Sequence, residues 1–131
     1  EGELGPNFRG GRHYCTSIYF MLTANSFSAF HRIQQDEIWH FHLGSAILLH
    51  WLSPDGEHHE IIIGANLSAG ETLQAVVPAG CWFAAKALGT WALVGCTVSP
   101  GFDFADFELA ERENLVRDYP QHKTLIENFT R

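Results

Sequence analysis

The sequence predicts an all-β domain, and three observations lead to this prediction. Short segments rich in aromatic and β-branched residues recur about every 8 to 12 residues, with glycine, proline or serine clusters between them. The length of 131 residues suits a single domain. Hydrophobic residues make up 46% of the chain and charged residues only 18%, which is typical of a folded domain rather than a disordered chain. The regular spacing of the segments indicates a β-sandwich or a β-barrel.

Eight segments ahead of Pro100 have the composition of strands, and the third shows the clearest alternation. In that segment Glu37 and Trp39 share one face while His40 lies on the other, because successive strand residues point to opposite sides. The string Ser-Pro-Asp-Gly at residues 53–56 follows the fourth segment and is typical of a tight turn. The predicted strands are residues 15–22, 28–33, 37–43, 46–52, 58–63, 72–77, 81–85 and 91–98.

The composition changes after residue 101, where the sequence predicts a short helical tail. Residues 102–107 mix phenylalanines with acidic side chains, which we interpret as a solvated edge. Beyond them, a charged stretch with a few apolar positions predicts one helix over residues 108–117 and a second over residues 120–129, interrupted at Pro120. The first dozen residues are rich in glycine and predict an irregular arm or an edge segment.

The charge balance excludes one class of partner. Acidic residues outnumber basic ones by 15 to 8, and the formal net charge is −7. A nucleic-acid partner is excluded because the chain lacks the basic surface that phosphate backbones require. A membrane span is also excluded, since no apolar run reaches the roughly 18 residues that one needs. Three cysteines without a CxxC pair predict a reducing, cytoplasmic location.

Two glycine-bounded blocks carry a family resemblance. In the first block, His31 precedes Glu37, and six residues separate Glu37 from Gly44. In the second block, Gly70 precedes a short strand and the turn Pro78-Ala79-Gly80. The blocks resemble the two signature motifs of the cupin superfamily, and further strings resemble its small single-domain branch numbered five, which has no established activity. These strings are residues 18–20, 30–32, 36–40, 77–80 and 96–102.

The resemblance implies a cupin-type antiparallel jelly-roll β-barrel with a short helical C-terminal tail. A single domain would span residues 1–131, with an N-terminal arm at 1–14, the barrel at 15–101 and the tail at 102–131. The resemblance also implies a homodimer, in which two copies pair through an arm or a sheet edge.

Two departures from the cupin motifs bear on the chemistry. Ile33 and Phe83 stand where metal-binding cupins place histidines. His31 and Glu37 remain, which is fewer than the three or four ligands that a first-row metal requires. Gln74 could be a third ligand if its strand turns that side inward, but glutamine is a poor one. The sequence therefore predicts a site without a metal or other cofactor.

His31 and Glu37 are the predicted catalytic residues. The resemblance implies that both point into the barrel, where burial and charge pairing would compete to set their pKa values. Such a pair could take up and deliver a proton. The alternative is a hydrogen-bonded structural pair that remains from a lost metal site.

Four further residues are predicted to contact a ligand. Trp39 shares a face with Glu37 and could stack on a ring, although filling the core would explain it equally well. Gln74 would be a polar anchor, since an unpaired buried amide costs of order 1–3 kcal/mol. Phe83 would form an apolar floor. Tyr19, in the string at residues 18–20, is the fourth predicted contact.

The other histidines predict no site. His40 and His42 alternate with the inward residues and so face outward, where strand histidines mostly lie at the surface or in interfaces. His58 and His59 follow a turn and are interpreted as solvated. For His50, and for His122 in the tail, the sequence suggests no partner.

These expectations lead to one preferred function and two alternatives. The preferred function is a metal-independent isomerase, epimerase or dehydratase acting on a sugar or a similar small polar metabolite. The first alternative is a cupin that binds a small ligand without turning it over. The second is a metal-dependent cupin enzyme.

Overall fold

The structure is a computed structural model, and it describes Phe8 and residues 11–131. In this part of the chain, nine strands and two α-helices follow one another, with short 3-10 turns between some of them. The strands are β1 (Thr16–Thr23), β2 (Phe27–Arg32), β3 (Glu37–Gly44), β4 (Ile47–Leu52), β5 (His58–Ile63), β6 (Gln74–Val77), β7 (Trp82–Ala87), β8 (Trp91–Val98) and β9 (Glu108–Leu109). The helices are α1 (Arg112–Asp118) and α2 (Lys123–Asn128).

The strands form two antiparallel sheets. The first has the order β1-β8-β3-β6, and the second has the order β5-β4-β7-β2-β9. The predicted all-β class and antiparallel pairing are confirmed. Of the predicted jelly-roll barrel, the described residues show the two antiparallel sheets but not closure into one barrel.

The main core lies between the two sheets. Alternation along the strands turns Trp39 and Val94 of the first sheet inward, and Leu49 and Phe83 of the second sheet turn toward them. Each of these four side chains is at most 1% exposed. Burial of a large apolar side chain contributes about 1.5–3 kcal/mol, so this layer holds the two sheets together.

Gly44 marks the end of β3 and explains the glycine of the first block. Its φ of +88° favours glycine, and an added Cβ would lie 2.5 Å from the Trp91 carbonyl oxygen. A side chain here would therefore both strain the backbone and push β3 away from β8.

The C-terminal tail covers the outer face of the second sheet. Ile126 of α2 is fully buried and belongs to a second cluster with Phe30, Leu52 and Phe129. The predicted helical tail is therefore present. Residues 120–129 begin as a 3-10 turn, and the helix itself is α2.

The first predicted helix is wrong at its start. Glu108 and Leu109 form β9, which pairs with Arg32 and His31 of β2, and α1 begins only at Arg112. A two-residue strand carries no periodicity, so the neighbouring charged helix obscures it in the sequence. The predicted irregular arm falls mostly on residues 1–7, 9 and 10, which lie outside the described residues.

Candidate functional site

A cavity of about 420 Å³ lies between the two sheets. Most of its lining is aliphatic or aromatic, including Ile18, Phe20 and Val98. The polar side chains in the lining are Thr16, Ser28, His31, Glu37 and Cys96. The volume is in the range of small-molecule sites, and the predominance of apolar groups with a few polar ones is typical of them.

Glu37 begins β3 and is the acidic group of the cavity. Register places it between Val77 of β6 and Val98 of β8, so apolar neighbours flank it on both strands. Burial raises the pKa of Glu37 to about 7, although a hydrogen bond with the Cys96 side chain lowers it in part. Near neutral pH this carboxyl group is therefore present in both its neutral and its ionised form.

His31 lines the same cavity from β2 of the other sheet. Its Nδ1 lies 2.7 Å from the carbonyl oxygen of Ala29, so Nδ1 carries the proton and donates it. Burial is the main cause that lowers the pKa of His31, and the imidazole is therefore neutral near pH 7. In this tautomer Nε2 has a free lone pair that can accept a proton.

Two aromatic rings orient the His31 imidazole. The Phe83 ring is 4.0 Å from it between centroids, and the Phe107 ring stacks on it at 5.4 Å. Phe83 thus lies inward as predicted, but it packs behind His31 and is not part of the cavity surface.

His31 and Glu37 belong to the same cavity but do not form an ion pair in the described part of the chain. Burial dominates both pKa shifts, and neither residue contributes to the shift of the other. Of the two causes that the sequence suggests for their pKa values, desolvation therefore prevails over charge pairing.

Trp39 lines the cavity and is only 1% exposed. Its ring packs edge-on against Phe20 at 5.8 Å and Phe83 at 6.4 Å, so it also fills the core. Its indole Nε1 is buried without a hydrogen-bond partner. A buried donor of this kind costs about 1–3 kcal/mol, and a ligand that accepted its hydrogen bond would recover that free energy.

Gln74 and Tyr19 lie outside the cavity, which corrects two predicted ligand contacts. In β6 the buried residues are Ala75 and Val77, so Gln74 points outward. In β1 the cavity residues are Ile18 and Phe20, which leaves Tyr19 on the outer face with 80% of its surface exposed. Both predictions fail for the same physical reason. A shift of one position along a strand moves the side chain to the opposite face of the sheet.

Cys96 and three phenylalanines of the cavity are missing from the prediction. Register sets Cys96 opposite Trp39, and the sequence gives no signal for this pairing because it is a property of the fold. Phe102, Phe104 and Phe107 line the cavity from the segment that the sequence suggests is a solvated edge. This segment shows no strand alternation, so the sequence does not indicate which of its side chains face the cavity.

Asp106 explains why this segment folds over the cavity. It is 6% exposed and forms a bidentate pair with the Arg12 guanidinium. The Gln35 side-chain amide donates to the same carboxylate at 3.0 Å and to the Gly101 carbonyl at 3.3 Å. The prediction of a solvated edge is therefore wrong for Asp106, which ties the segment to two other parts of the chain.

A match to a family model shows to which family the chain belongs. The model of the Cupin superfamily (DUF985) matches residues 3–110. The chain belongs to this cupin family. No curated protein matches it.

Solved structures include both close and distant relatives of this cupin. A protein from Shewanella oneidensis is 42% identical, with a TM-score of 0.89 over 100% of this chain and 81% of that one. A dTDP sugar isomerase from Desulfovibrio desulfuricans is 15% identical, with a TM-score of 0.68 over 88% and 73%. Oxalate decarboxylase from Bacillus subtilis is 14% identical, with a TM-score of 0.65 over 90% and 31%. The two distant likenesses show the fold alone.

The cavity of this cupin does not fit the metal centre that metal-binding cupins hold. Ile33 and Phe83, at the positions where the resemblance implies histidines in metal-binding cupins, are buried and carry no donor atom. His31, Glu37 and Cys96 are the remaining donors, and in the described chain they do not bring three ligand atoms within 4.8 Å of one another. Among the described helices, none is both long and apolar enough to cross a bilayer.

Proposed function

We propose that the cavity binds a small metabolite and that Glu37 and His31 move a proton on it. The observation that carries this proposal is the pairing of a carboxyl group whose pKa is about 7 with a neutral imidazole in one apolar cavity. Groups with such shifted pKa values are common in sites that perform acid–base chemistry near neutral pH.

The lining indicates what kind of metabolite would fit. Aromatic and aliphatic side chains such as Phe20, Phe102 and Phe104 would cover a flat or hydrocarbon body. The polar groups are few and would hold one polar substituent. A sugar is the second candidate, because each of its hydroxyl groups would need a partner from the small polar set of the cavity.

The proton step follows from the tautomer of His31. The Nδ1 proton is committed to the Ala29 carbonyl, so Nε2 would take a proton from a carbon or hydroxyl of the metabolite. Neutral Glu37 would deliver its proton to a second position of the same molecule. His31 would then be positively charged and Glu37 negatively charged, and proton transfer through solvent would restore the neutral pair. Isomerisation, epimerisation and dehydration all use such a transfer.

The first experiment tests binding. A thermal-shift screen of small metabolites should find at least one compound that stabilises the wild type, since a ligand that binds only the folded state raises its stability. Ile18→Trp would fill the cavity and abolish the shift, whereas Tyr19→Trp on the outer face of the same strand would keep it. If no compound stabilises the wild type, or if both variants behave alike, the cavity is not the binding site.

The second experiment tests chemistry. The selected ligand is incubated in D2O, and NMR follows the exchange of its carbon-bound protons for deuterium. The wild type should catalyse the exchange, and Glu37→Gln and His31→Ala should each slow it by about 10²–10⁴-fold, the usual contribution of a general acid or base. Binding without any exchange would favour a non-catalytic cupin, which the small number of polar groups in the lining also supports.

We also propose a cytoplasmic homodimer. Tyr19, Met21 and Val76 expose 80%, 55% and 46% of their surfaces on the outer face of the first sheet, and a second copy would cover them. Sedimentation velocity would give the mass of a single chain if the dimer proposal is wrong.

A further inference from the structure

The β4–β5 hairpin brings together three potential metal ligands far from the cavity lining. His50 of β4 lies directly opposite Glu60 of β5, and His58 is two residues from Glu60, on the same face of the sheet. The ligand atoms of these three side chains all lie within 4.8 Å of one another, and no other such group occurs in the described residues. The sequence suggests no partner for His50, and the structure corrects this expectation by placing His58 and Glu60 beside it. His58 itself is exposed, as expected.

The distances fit a small tetrahedral ion. His50 Nδ1 is 3.0 Å from His58 Nε2 and 3.6 Å from the nearer Glu60 carboxylate oxygen. With zinc–ligand bonds of about 2.0–2.1 Å, tetrahedral geometry places two ligand atoms about 3.3 Å apart. The two observed separations lie on either side of this value, so small side-chain adjustments would suffice.

The surroundings hold one ligand rigidly and leave another open to solvent. The His50 side chain is 6% exposed and packs edge-on against Phe129 of the tail, with 5.1 Å between ring centroids. The Glu60 side chain is 61% exposed, which gives an ion a route of entry. The carboxylate of Glu60 supplies negative charge, which offsets the positive charge that Lys86 places near His50.

We propose that His50, His58 and Glu60 bind one divalent transition-metal ion of the Zn²⁺ type. Two imidazoles and a carboxylate are a donor set that zinc accepts, and three protein ligands leave a fourth position for water. Binding would replace the hydrogen bond between His50 Nδ1 and His58 Nε2, and each neutral imidazole would then keep its proton on its other ring nitrogen. The ion would link β4 to β5 on the sheet face against which the tail packs.

The adjacent His59 provides a matched control. It lies on the opposite face of β5, where its ring stacks on Trp51 at 5.2 Å. His59→Ala therefore removes an imidazole from the same strand without touching the proposed ligands. His31→Ala separates this site from the cavity in the same way.

Calorimetric titration of chelator-treated protein with Zn²⁺ tests the proposal. The wild type, His59→Ala and His31→Ala should each bind one ion per chain, while His58→Ala and Glu60→Gln should bind about tenfold more weakly or worse. These two variants change ligands other than the buried His50, and circular dichroism would verify their folds. In the wild type, Co²⁺ should give the intense visible absorption of tetrahedral coordination. Absence of binding to the wild type, undiminished binding to His58→Ala, or loss of binding in either control would overturn the proposal.

Discussion

At the scale of single residues, Glu37 links stability to the proposed chemistry. A carboxyl group whose pKa rises to about 7 on folding binds more protons in the folded chain than in the unfolded chain between roughly pH 4.5 and pH 7. The free energy of unfolding therefore falls as pH rises through this window. The full effect is about 3 kcal/mol, since each pKa unit corresponds to about 1.4 kcal/mol.

Glu37→Gln should remove this dependence, because an amide of the same shape does not titrate. We expect the stability of the variant relative to the wild type to increase by up to about 3 kcal/mol between pH 4 and pH 8. Urea unfolding at a series of pH values measures the difference, in which the opposing effect of His31 cancels. Glu113→Gln, at an exposed position in α1, is the control and should show no such trend. A flat difference for Glu37→Gln would mean that folding leaves the pKa of this carboxyl group near its ordinary value.

The residue scale also shows what a sequence can predict about a site. The sequence places His31 and Glu37 in the cavity because motif positions fix both the residue type and the side of the strand. Gln74 and Tyr19 were placed wrongly because their strands contain apolar residues on both faces, so alternation alone does not reveal the inward one. The influence of Cys96 on the pKa of Glu37 depends on the β3–β8 register, which is a property of the fold.

At the scale of elements, residues 102–107 form one wall of the cavity and depend on a buried ion pair. The Arg12 and Asp106 side chains are 4% and 5% exposed, whereas those of the Arg32–Glu108 pair nearby are 38% and 48% exposed. Water screens the second pair but not the first. Removing one partner from a buried pair leaves the other charge without compensation.

Asp106→Asn should therefore destabilise the protein by about 3–5 kcal/mol, since Arg12 stays buried and charged. Glu108→Gln, which removes one partner of the exposed pair, should cost less than about 1 kcal/mol. Chemical denaturation measures both variants. We also expect Asp106→Asn to weaken ligand binding, because Phe102, Phe104 and Phe107 belong to the segment that Asp106 anchors. Similar losses for the two variants would show that burial does not strengthen the Arg12 pair.

Most strands could be predicted from the sequence, whereas the places where elements dock could not. The eight predicted strands all occur, with ends shifted by two residues or fewer. The alternation within each strand and the turn residues between strands determine these strands locally. In contrast, β9 exists only because β2 offers it an edge, and α2 is fixed by the sheet face beneath it. Such contacts join residues far apart in the chain, and a local pattern does not encode them.

At the scale of the whole molecule, the second sheet contributes side chains to two hydrophobic cores, one on each of its faces. Its strands turn Leu49 and Phe83 toward the first sheet, and they turn Phe30 and Leu52 toward the tail. Each side of the sheet is therefore held in place by the packing on the other. A loss of packing under the tail should spread through this shared layer to the first sheet.

We predict that the chain unfolds as one unit, as single domains under 150 residues usually do. Ile126→Ala removes a fully buried side chain beneath the tail and should cost about 2–5 kcal/mol, whereas Thr124→Ala at an exposed position of the same helix should change little. Native-state hydrogen exchange locates the loss. In Ile126→Ala, the slowest amides of β8 should lose as much protection as those of α2, although β8 lies in the other sheet. Loss of protection confined to α1 and α2 would instead show that the tail detaches while the two sheets stay folded.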